Sequence, residues 1–198
     1  MMKKIIKDTL ALVVITIVAG VCLAFVHELT LDTIASAEAE ERAASYREVF
    51  PEAADFEAIG FLDDISAKAS LPSGVSIGEA LVAVDGDGKR LGYVVSATSA
   101  NGYGGDIVLS VGIDVYGAIT GVKVTSMSET SGLGSHCTDE SFQSQFKGIS
   151  GEVVASKTGK TQPNEIDAIS GATFTTNAVT DAVNGALSFA DVMGVVEG

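Results

Sequence analysis

The sequence predicts an α+β protein. One N-terminal transmembrane helix is followed by one extracytoplasmic domain, with a twisted, largely antiparallel sheet and flanking helices. Three observations carry this. A charge-free apolar run, LALVVITIVAGVCLAF, occupies residues 10–25. Two hairpin-like segments, VAVDGDGKRLGYVV and VGIDVYGAITGVKV, repeat mid-chain with an offset of 29 residues. Near the C-terminus, apolar residues recur at helical spacing. Strands grouped between helices, instead of alternating with them, favour α+β over α/β.

Extended to Val26, the apolar run has 17 residues and makes about 25 Å of helix. That is the short end of a membrane span, and Thr9 and the stem of Lys7 extend its reach by snorkelling. Lys3, Lys4 and Lys7 precede it; Glu28, Asp32, Glu38, Glu40 and Glu41 follow. The positive-inside rule then places the N-terminus in the cytoplasm and everything after His27 outside. A cleaved signal peptide is the rival reading. Ala35-Ser36-Ala37 resembles a cleavage site, but it lies well beyond the run, and the run exceeds a signal peptide's usual apolar core. Cys22 follows Val21 in mid-run, against the small residue a lipoprotein would place there. The expected organisation is a cytoplasmic N-terminus at 1–8, a transmembrane helix at 9–29, a membrane-proximal helical segment at 30–70 and a folded domain at 71–198.

The formal charge of −14 understates the outer part. Without Lys3, Lys4, Lys7 and Asp8 there remain 9 basic and 25 acidic residues, a net of −16. Such a surface repels nucleic acid and anionic lipid heads, and favours solubility or basic partners. Cys22 lies in the bilayer and Cys137 in the outer domain, so no internal disulfide is expected and the core must hold the fold.

Along the chain, Thr33 to Phe50 reads as an Ala/Glu/Arg-rich helix leaving the membrane, ended by Pro51. Residues 56–68 are ambiguous, and LPSG at 71–74 is a turn signal. In each repeat an Asp (Asp85, Asp114) is followed by Gly three residues on (Gly88, Gly117) and seven on (Gly92, Gly121). Apolar alternation flanks both, which predicts two β-hairpins. Between them, Asn101-Gly-Tyr-Gly-Gly105 forms a loop whose backbone can approach a ligand closely. Residues 128–151 are turn-rich, with a helix around 139–146, and 153–156 read as a strand. Ala178, Val179, Ala182, Val183, Ala186, Leu187 and Ala190 then predict a helix to about Met193.

Several sharp motifs fail on spacing. Thr158-Gly-Lys-Thr161 ends like a phosphate-binding P-loop, but Val154 stands where its first glycine belongs. Gly102-Tyr-Gly104 opens a dinucleotide fingerprint that Ile107 breaks. Asp85-Gly-Asp87-Gly resembles a calcium loop, but Lys89 holds the fifth position and the closing Glu is missing. His136 and Cys137 are adjacent and point apart on an extended chain, and the other histidine, His27, borders the membrane; neither zinc nor a catalytic triad is supported.

The stretch DAISGATFTT, Asp167 to Thr176, remains. Its hydroxyls read two ways. Thr176 or Asn177 can cap the helix expected from Ala178, which accounts for the cluster structurally. A helix N-terminus also exposes unpaired N–H groups and partial positive charge, which suit a phosphate.

The same stretch resembles the flavinylation motif D-x-x-[ST]-G-A-[ST]-x-T, in which the last threonine carries FMN through a phosphoester. That position is Thr175. VFPEA at 49–53, NGYGGDI with SVGID, GAITGVKV, and Glu129-Thr-Ser-Gly-Leu-Gly134 followed by Phe142 and Gln145-Phe146 resemble further segments of one family. This is the family of FMN-binding subunits of the Rnf and Na+-translocating quinone reductase complexes. The resemblance runs from the anchor to the last helix, and the compact length is more similar to the Rnf member (RnfG) than to the longer quinone reductase member (NqrC). Ser131 departs from the family, which usually has proline there and so pre-sets the turn.

The resemblance implies covalent FMN on Thr175, with Ser170, Gly171, Ala172 and Thr173 around the phosphate and Asp167 serving transferase recognition or Mg2+ binding during attachment. It implies a flavin ring against Glu129, Thr130, Leu133 and Gly134; Tyr103 reads equally as a ring contact or as loop packing. It implies a membrane-anchored electron carrier in an ion-translocating ferredoxin:NAD+ oxidoreductase, an electron-transfer subunit that does not catalyse the overall reaction alone. Its partners would be integral membrane and iron–sulfur or flavin subunits, with a flavin transferase for maturation. The alternatives are an NqrC-like component of the quinone reductase, a flavin-free binding or assembly module, and a standalone flavoprotein reductase.

Overall fold

The computed structural model describes residues 2–60 and 62–196. The outer ends of the expected segments, Met1 and Gly198, and Phe61 of the ambiguous stretch lie outside the described residues, as do the side chains of Lys3, Lys4, Asp32, Ala35, Ser36 and Glu38. The first helix, α1, is continuous from Met2 to Val49. The chain divides into two compact units after Glu41.

In the first unit, Ile6–Thr30 is long and apolar enough to cross a membrane, and its large apolar side chains are exposed. Its hydroxyls are satisfied within the helix: Thr16 Oγ1 donates to the Leu12 carbonyl at 2.9 Å and Thr30 Oγ1 to Val26 at 3.0 Å. No unpaired polar group is therefore presented to a lipid phase by these two residues.

The second unit is α+β. After the end of α1 come β1 (Asp55–Ala58), α2 (Leu62–Ser66), β2 (Val75–Val84), β3 (Arg90–Ser99), β4 (Ile107–Asp114) and β5 (Ile119–Ser126). These strands form one antiparallel sheet in the order β1-β2-β3-β4-β5. The stretch 56–68, ambiguous in sequence, thus holds an edge strand and a short helix. Beyond the sheet lie a 3₁₀ turn at Gly134–Thr138, α3 (Glu140–Gln143), a second 3₁₀ turn at Ser144–Phe146, β6 (Val154–Ser156), β7 (Glu165–Asp167) and α4 (Thr173–Val196). β6 and β7 pair in parallel.

The sequence repeat is a structural repeat. Asp85 Oδ1 accepts the backbone N–H of Asp87 and of Lys89, each at 2.9 Å. Asp114 Oδ1 accepts those of Tyr116 at 2.8 Å and Ala118 at 2.9 Å. Each aspartate thereby ties its own hairpin turn, which Gly88 and Gly117 complete at φ 77° and 80°. The later glycines serve packing. A Cβ on Gly121 would sit 2.9 Å from Val49 Cα, and one on Gly112, its cross-strand partner, would strike the Val49 carbonyl. The bare patch admits the C-terminal end of α1, where Tyr46 and Val49, with Phe50 just beyond the helix, form a small core with Leu81, Ala83 and Val94. Thr120 Oγ1 donates to the Val49 carbonyl at 2.6 Å, satisfying a helix-end acceptor. Pro51 then stops the helix.

The main core lies on the other face. Ile107, Leu109, Val111 and Ile113 of β4 alternate toward α4, which answers with Ala178, Val179, Ala182, Val183, Ala186, Phe189 and Met193. The alanines on that face let the helix lie close to the sheet. Leu187, expected in this stripe, is only partly buried; Phe189 is fully buried instead.

Candidate flavin site

The decisive local feature is where α4 begins. The sequence placed its start near Ala178, with Thr176 or Asn177 as cap; the helix instead starts at Thr173, five residues earlier. Thr176 is therefore inside the first turn. Its hydroxyl donates to the Ala172 carbonyl at 2.9 Å and accepts the Ile169 N–H at 3.0 Å. The run Thr-Phe-Thr-Thr has low intrinsic helix propensity, and these two bonds supply what propensity does not. The motif becomes a five-residue strand-to-helix turn between β7 and α4, with Gly171 at φ 77° where a side chain would be strained.

Three segments converge on the N-terminal end of α4. One is the glycine loop after β3, anchored by Asn101, whose Nδ2 donates to the Ser73 carbonyl at 2.7 Å. Another is the loop at 129–134, and the third is the motif turn. They enclose a cavity of about 390 Å³, within the size range of cofactor sites. Tyr103 comes from the first segment; Glu129, Thr130, Leu133 and Gly134 from the second; Gly171, Ala172, Thr173, Phe174 and Thr175 from the third. Of the residues singled out in the sequence, Ser170 and Asp167 lie elsewhere, in an adjacent groove with His136, Asp139 and Gln145.

Glu129 organises the interior. Thr175 is 1% exposed, and its Oγ1 donates to Glu129 Oε2 at 2.8 Å. The Gly104 N–H donates to Glu129 Oε1 at 3.2 Å. Gly134 is required there: a Cβ would strike Glu129 Oε2 and sit 2.7 Å from Thr175 Oγ1. The rim is apolar. Tyr103 and Phe174 stand 74% and 68% exposed with ring centroids 6.4 Å apart, and Leu133 is also exposed. Phe174 was missed in sequence because it fell in the motif's variable position; its aromatic character was the available signal.

Asp167 ends β7. Gln145 clasps its backbone, accepting the Asp167 N–H at 2.7 Å and donating to its carbonyl at 3.4 Å. The Asp167 carboxylate accepts the Lys160 N–H at 2.6 Å. The nearby Thr-Gly-Lys-Thr turn is closed by Glu165, which takes the N–H groups of Thr161 and Gln162 at 2.6 and 3.0 Å. These backbone bonds hold the Glu165 carboxyl below its usual range. Behind the 129–134 loop, burial pushes the Cys137 thiol up to about 11, with the neighbouring Glu129 charge acting in the same direction.

Comparison with known proteins gives this geometry a family. Residues 102–188 match the FMN-binding domain and residues 1–49 the RnfG N-terminal region. The G subunit of the Na(+)-translocating ferredoxin:NAD(+) oxidoreductase complex of Acetobacterium woodii is 36% identical over 92% of this chain and 89% of its own. The chain belongs to the RnfG family, the G subunits of the ion-translocating oxidoreductase (Rnf) complexes. The G subunit of the ion-translocating oxidoreductase complex of Methanosarcina acetivorans is 34% identical over 94% of this chain and 95% of its own. Its counterpart from Clostridium ljungdahlii, 37% identical over 50% of this chain and 53% of its own, is named for a proton-translocating ferredoxin:NAD(+) oxidoreductase complex. The crystal structure of Shewanella oneidensis NqrC shares the fold, at TM-score 0.54 and 21% identity over 77% of this chain and 88% of that one.

The residues of this RnfG-family cavity fit FMN. The apolar rim of Tyr103, Phe174 and Leu133 suits a planar ring, and the first turn of α4 suits a phosphate. Glu129 is the one charged residue lining the cavity among the described residues, so no basic side chain there meets a free phosphate.

Proposed function

We propose that this chain is the membrane-anchored flavoprotein subunit of an Rnf complex, carrying FMN as a phosphoester on Thr175 and relaying electrons between neighbouring cofactors. The observation that carries this is the position of Thr175. It closes the D-x-x-S-G-A-T-x-T motif and lies in the first turn of α4, facing a cavity that no basic side chain lines among the described residues. A phosphate held only by contacts would meet the Glu129 carboxylate with no cation to offset it. A covalent ester removes the need for one, and retains flavin in an extracytoplasmic setting where it would otherwise diffuse away.

When bound, FMN supplies one-electron transfer chemistry. The chain's part is to hold and tune. Thr173, Gly171 and Ala172 give the phosphate end close backbone approach, while Thr130, Leu133, Gly134 and Tyr103, with Phe174, set the orientation of the ring. Ser170 and Asp167, on the adjacent groove, present the outer side of the motif to a flavin transferase. Ile6–Thr30 is the anchor, with the N-terminus cytoplasmic and the folded domain outside. Its partners are the other subunits of the complex, integral membrane and iron–sulfur or flavin proteins, and its acidic surface excludes nucleic acid.

The test is in-gel flavin fluorescence of the full chain co-expressed with a flavin transferase. A fluorescent band for the wild type and none for Thr175→Ala is expected; a dark wild-type band would sink the proposal. Co-purification with integral membrane subunits separates a complex component from a standalone reductase.

A further inference from the structure

We propose that Glu129 is the proton acceptor for formation of the ester at Thr175. This rests on the covalent reading above and assigns a chemical role to the chain that accepts the flavin. A threonine hydroxyl is a weak nucleophile at neutral pH and needs a base within hydrogen-bond reach. Glu129 Oε2 receives the Thr175 hydroxyl at 2.8 Å. The other hydroxyls lining the cavity, on Tyr103, Thr130 and Thr173, are not proton acceptors at neutral pH.

The direction of the Thr175 hydroxyl argues against a purely structural bond. Threonines inside a helix satisfy themselves on the preceding turn, and two others on this helix do so: Thr176 donates to Ala172 and Thr180 to Thr176. Thr175 turns instead to a carboxylate 46 residues away in sequence. The base is also oriented by a third group, as an activated nucleophile requires. The Gly104 N–H holds Oε1, which leaves Oε2 for Thr175, and bare Gly134 makes room for both side chains.

The step balances with a flavin dinucleotide as donor. Thr175 Oγ1 bonds to the phosphorus on the flavin side. The phosphoanhydride P–O bond breaks and its electron pair leaves with the adenylate, as AMP. The hydroxyl proton passes to Glu129 and then to water. Nothing is oxidised or reduced. Taking the proton also neutralises Glu129 while the anionic phosphoryl group is in transit, which removes their mutual repulsion.

The experiment measures attachment kinetics on the detergent-solubilised full chain with a flavin transferase and flavin adenine dinucleotide, read by in-gel fluorescence. Glu129→Gln keeps the shape and removes the base. Its kcat is expected to fall about 10²-fold with the KM for the chain unchanged, and added formate is expected to restore part of the rate to Glu129→Ala. Attachment to Glu129→Gln within a few-fold of wild type would overturn the inference, as would a loss confined to KM. Thermal unfolding of both variants, run in parallel, must show a cooperative transition; if they fold, a slow rate without formate rescue also overturns it. A wild-type chain that takes no flavin instead overturns the covalent reading and this inference together.

Discussion

Thr175 Oγ1 and Glu129 Oε2 lie 2.8 Å apart, joining the first turn of α4 to the loop that follows β5. One hydrogen bond closes the cavity interior, and it uses the oxygen at which the flavin ester is proposed. Thr175→Ala should therefore act twice. Covalent flavin is lost, and a charged hydrogen bond worth about 1.5–3 kcal/mol is removed. Thr175→Ser retains both. Urea unfolding of the flavin-free forms would show the alanine variant with a lower midpoint and the serine variant near wild type.

Gly134→Ala tests the space around that pair. The new Cβ would strike Glu129 Oε2 and crowd Thr175 Oγ1, so the carboxylate must leave its position. Flavin attachment should slow by an order of magnitude or more, through displacement of a reacting group, and Tm should fall about as far as in Thr175→Ala, since the same hydrogen bond is broken. Attachment at wild-type speed would show that the Glu129–Thr175 geometry is dispensable.

The regular elements were legible wherever periodicity and turn chemistry agreed. Asp85 and Asp114, with glycines at matching offsets, gave both hairpins, and Pro51 gave the end of α1. The start of α4 was not legible. Thr173, Phe174, Thr175 and Thr176 carry weak helix propensity, and the bonds that hold them helical, from Thr176 to Ala172 and Ile169, depend on the turn geometry. Glu129 was legible as a site residue through its motif, but not as the partner of Thr175, because contacts across 46 residues leave no local pattern. Phe189 is fully buried in the core while Leu187 packs at its edge, partly exposed, because helical periodicity admits both positions to the apolar face and does not rank their depth.

Gly121→Ala probes the opposite face of the sheet. Its Cβ would sit 2.9 Å from Val49 Cα and 3.0 Å from the Val49 carbonyl oxygen, both backbone atoms that cannot swing away. Overpacking of this kind costs about 1–3 kcal/mol. Circular dichroism melting should show a clear drop in Tm, with flavin incorporation on the same sample preserved because the site lies on other elements.

Cys137 is fully buried and its thiol is pushed up to about 11 by burial and by the adjacent Glu129 charge. At pH 8 only about one molecule in a thousand carries the thiolate that alkylating reagents need. In a Cys22→Ala background, maleimide should leave the folded chain unlabelled over a time that fully labels the urea-unfolded one. Rapid labelling of the folded chain would contradict the burial of this residue.

Asp181 gives the pH dependence of stability a defined sign. It lies on α4 behind the glycine loop, where burial pushes its carboxyl above the ordinary range and a hydrogen bond from the Asn101 side chain opposes this in part. A carboxyl raised on folding is protonated in both states at sufficiently acid pH and costs nothing there. As pH rises through the folded-state value, ionisation is harder in the folded chain than in the unfolded one, so stability is lost and the loss persists to neutral pH. Asp181→Asn keeps an oxygen for Asn101 and never ionises. It should raise Tm at neutral pH, with the gain shrinking toward roughly pH 3, near and below the ordinary aspartate value. Because every other group titrates identically in both proteins, the difference between their melting curves isolates this one. A gain independent of pH, or a loss at neutral pH, would show that the Asp181 carboxylate is stabilised by its surroundings instead of being opposed by them.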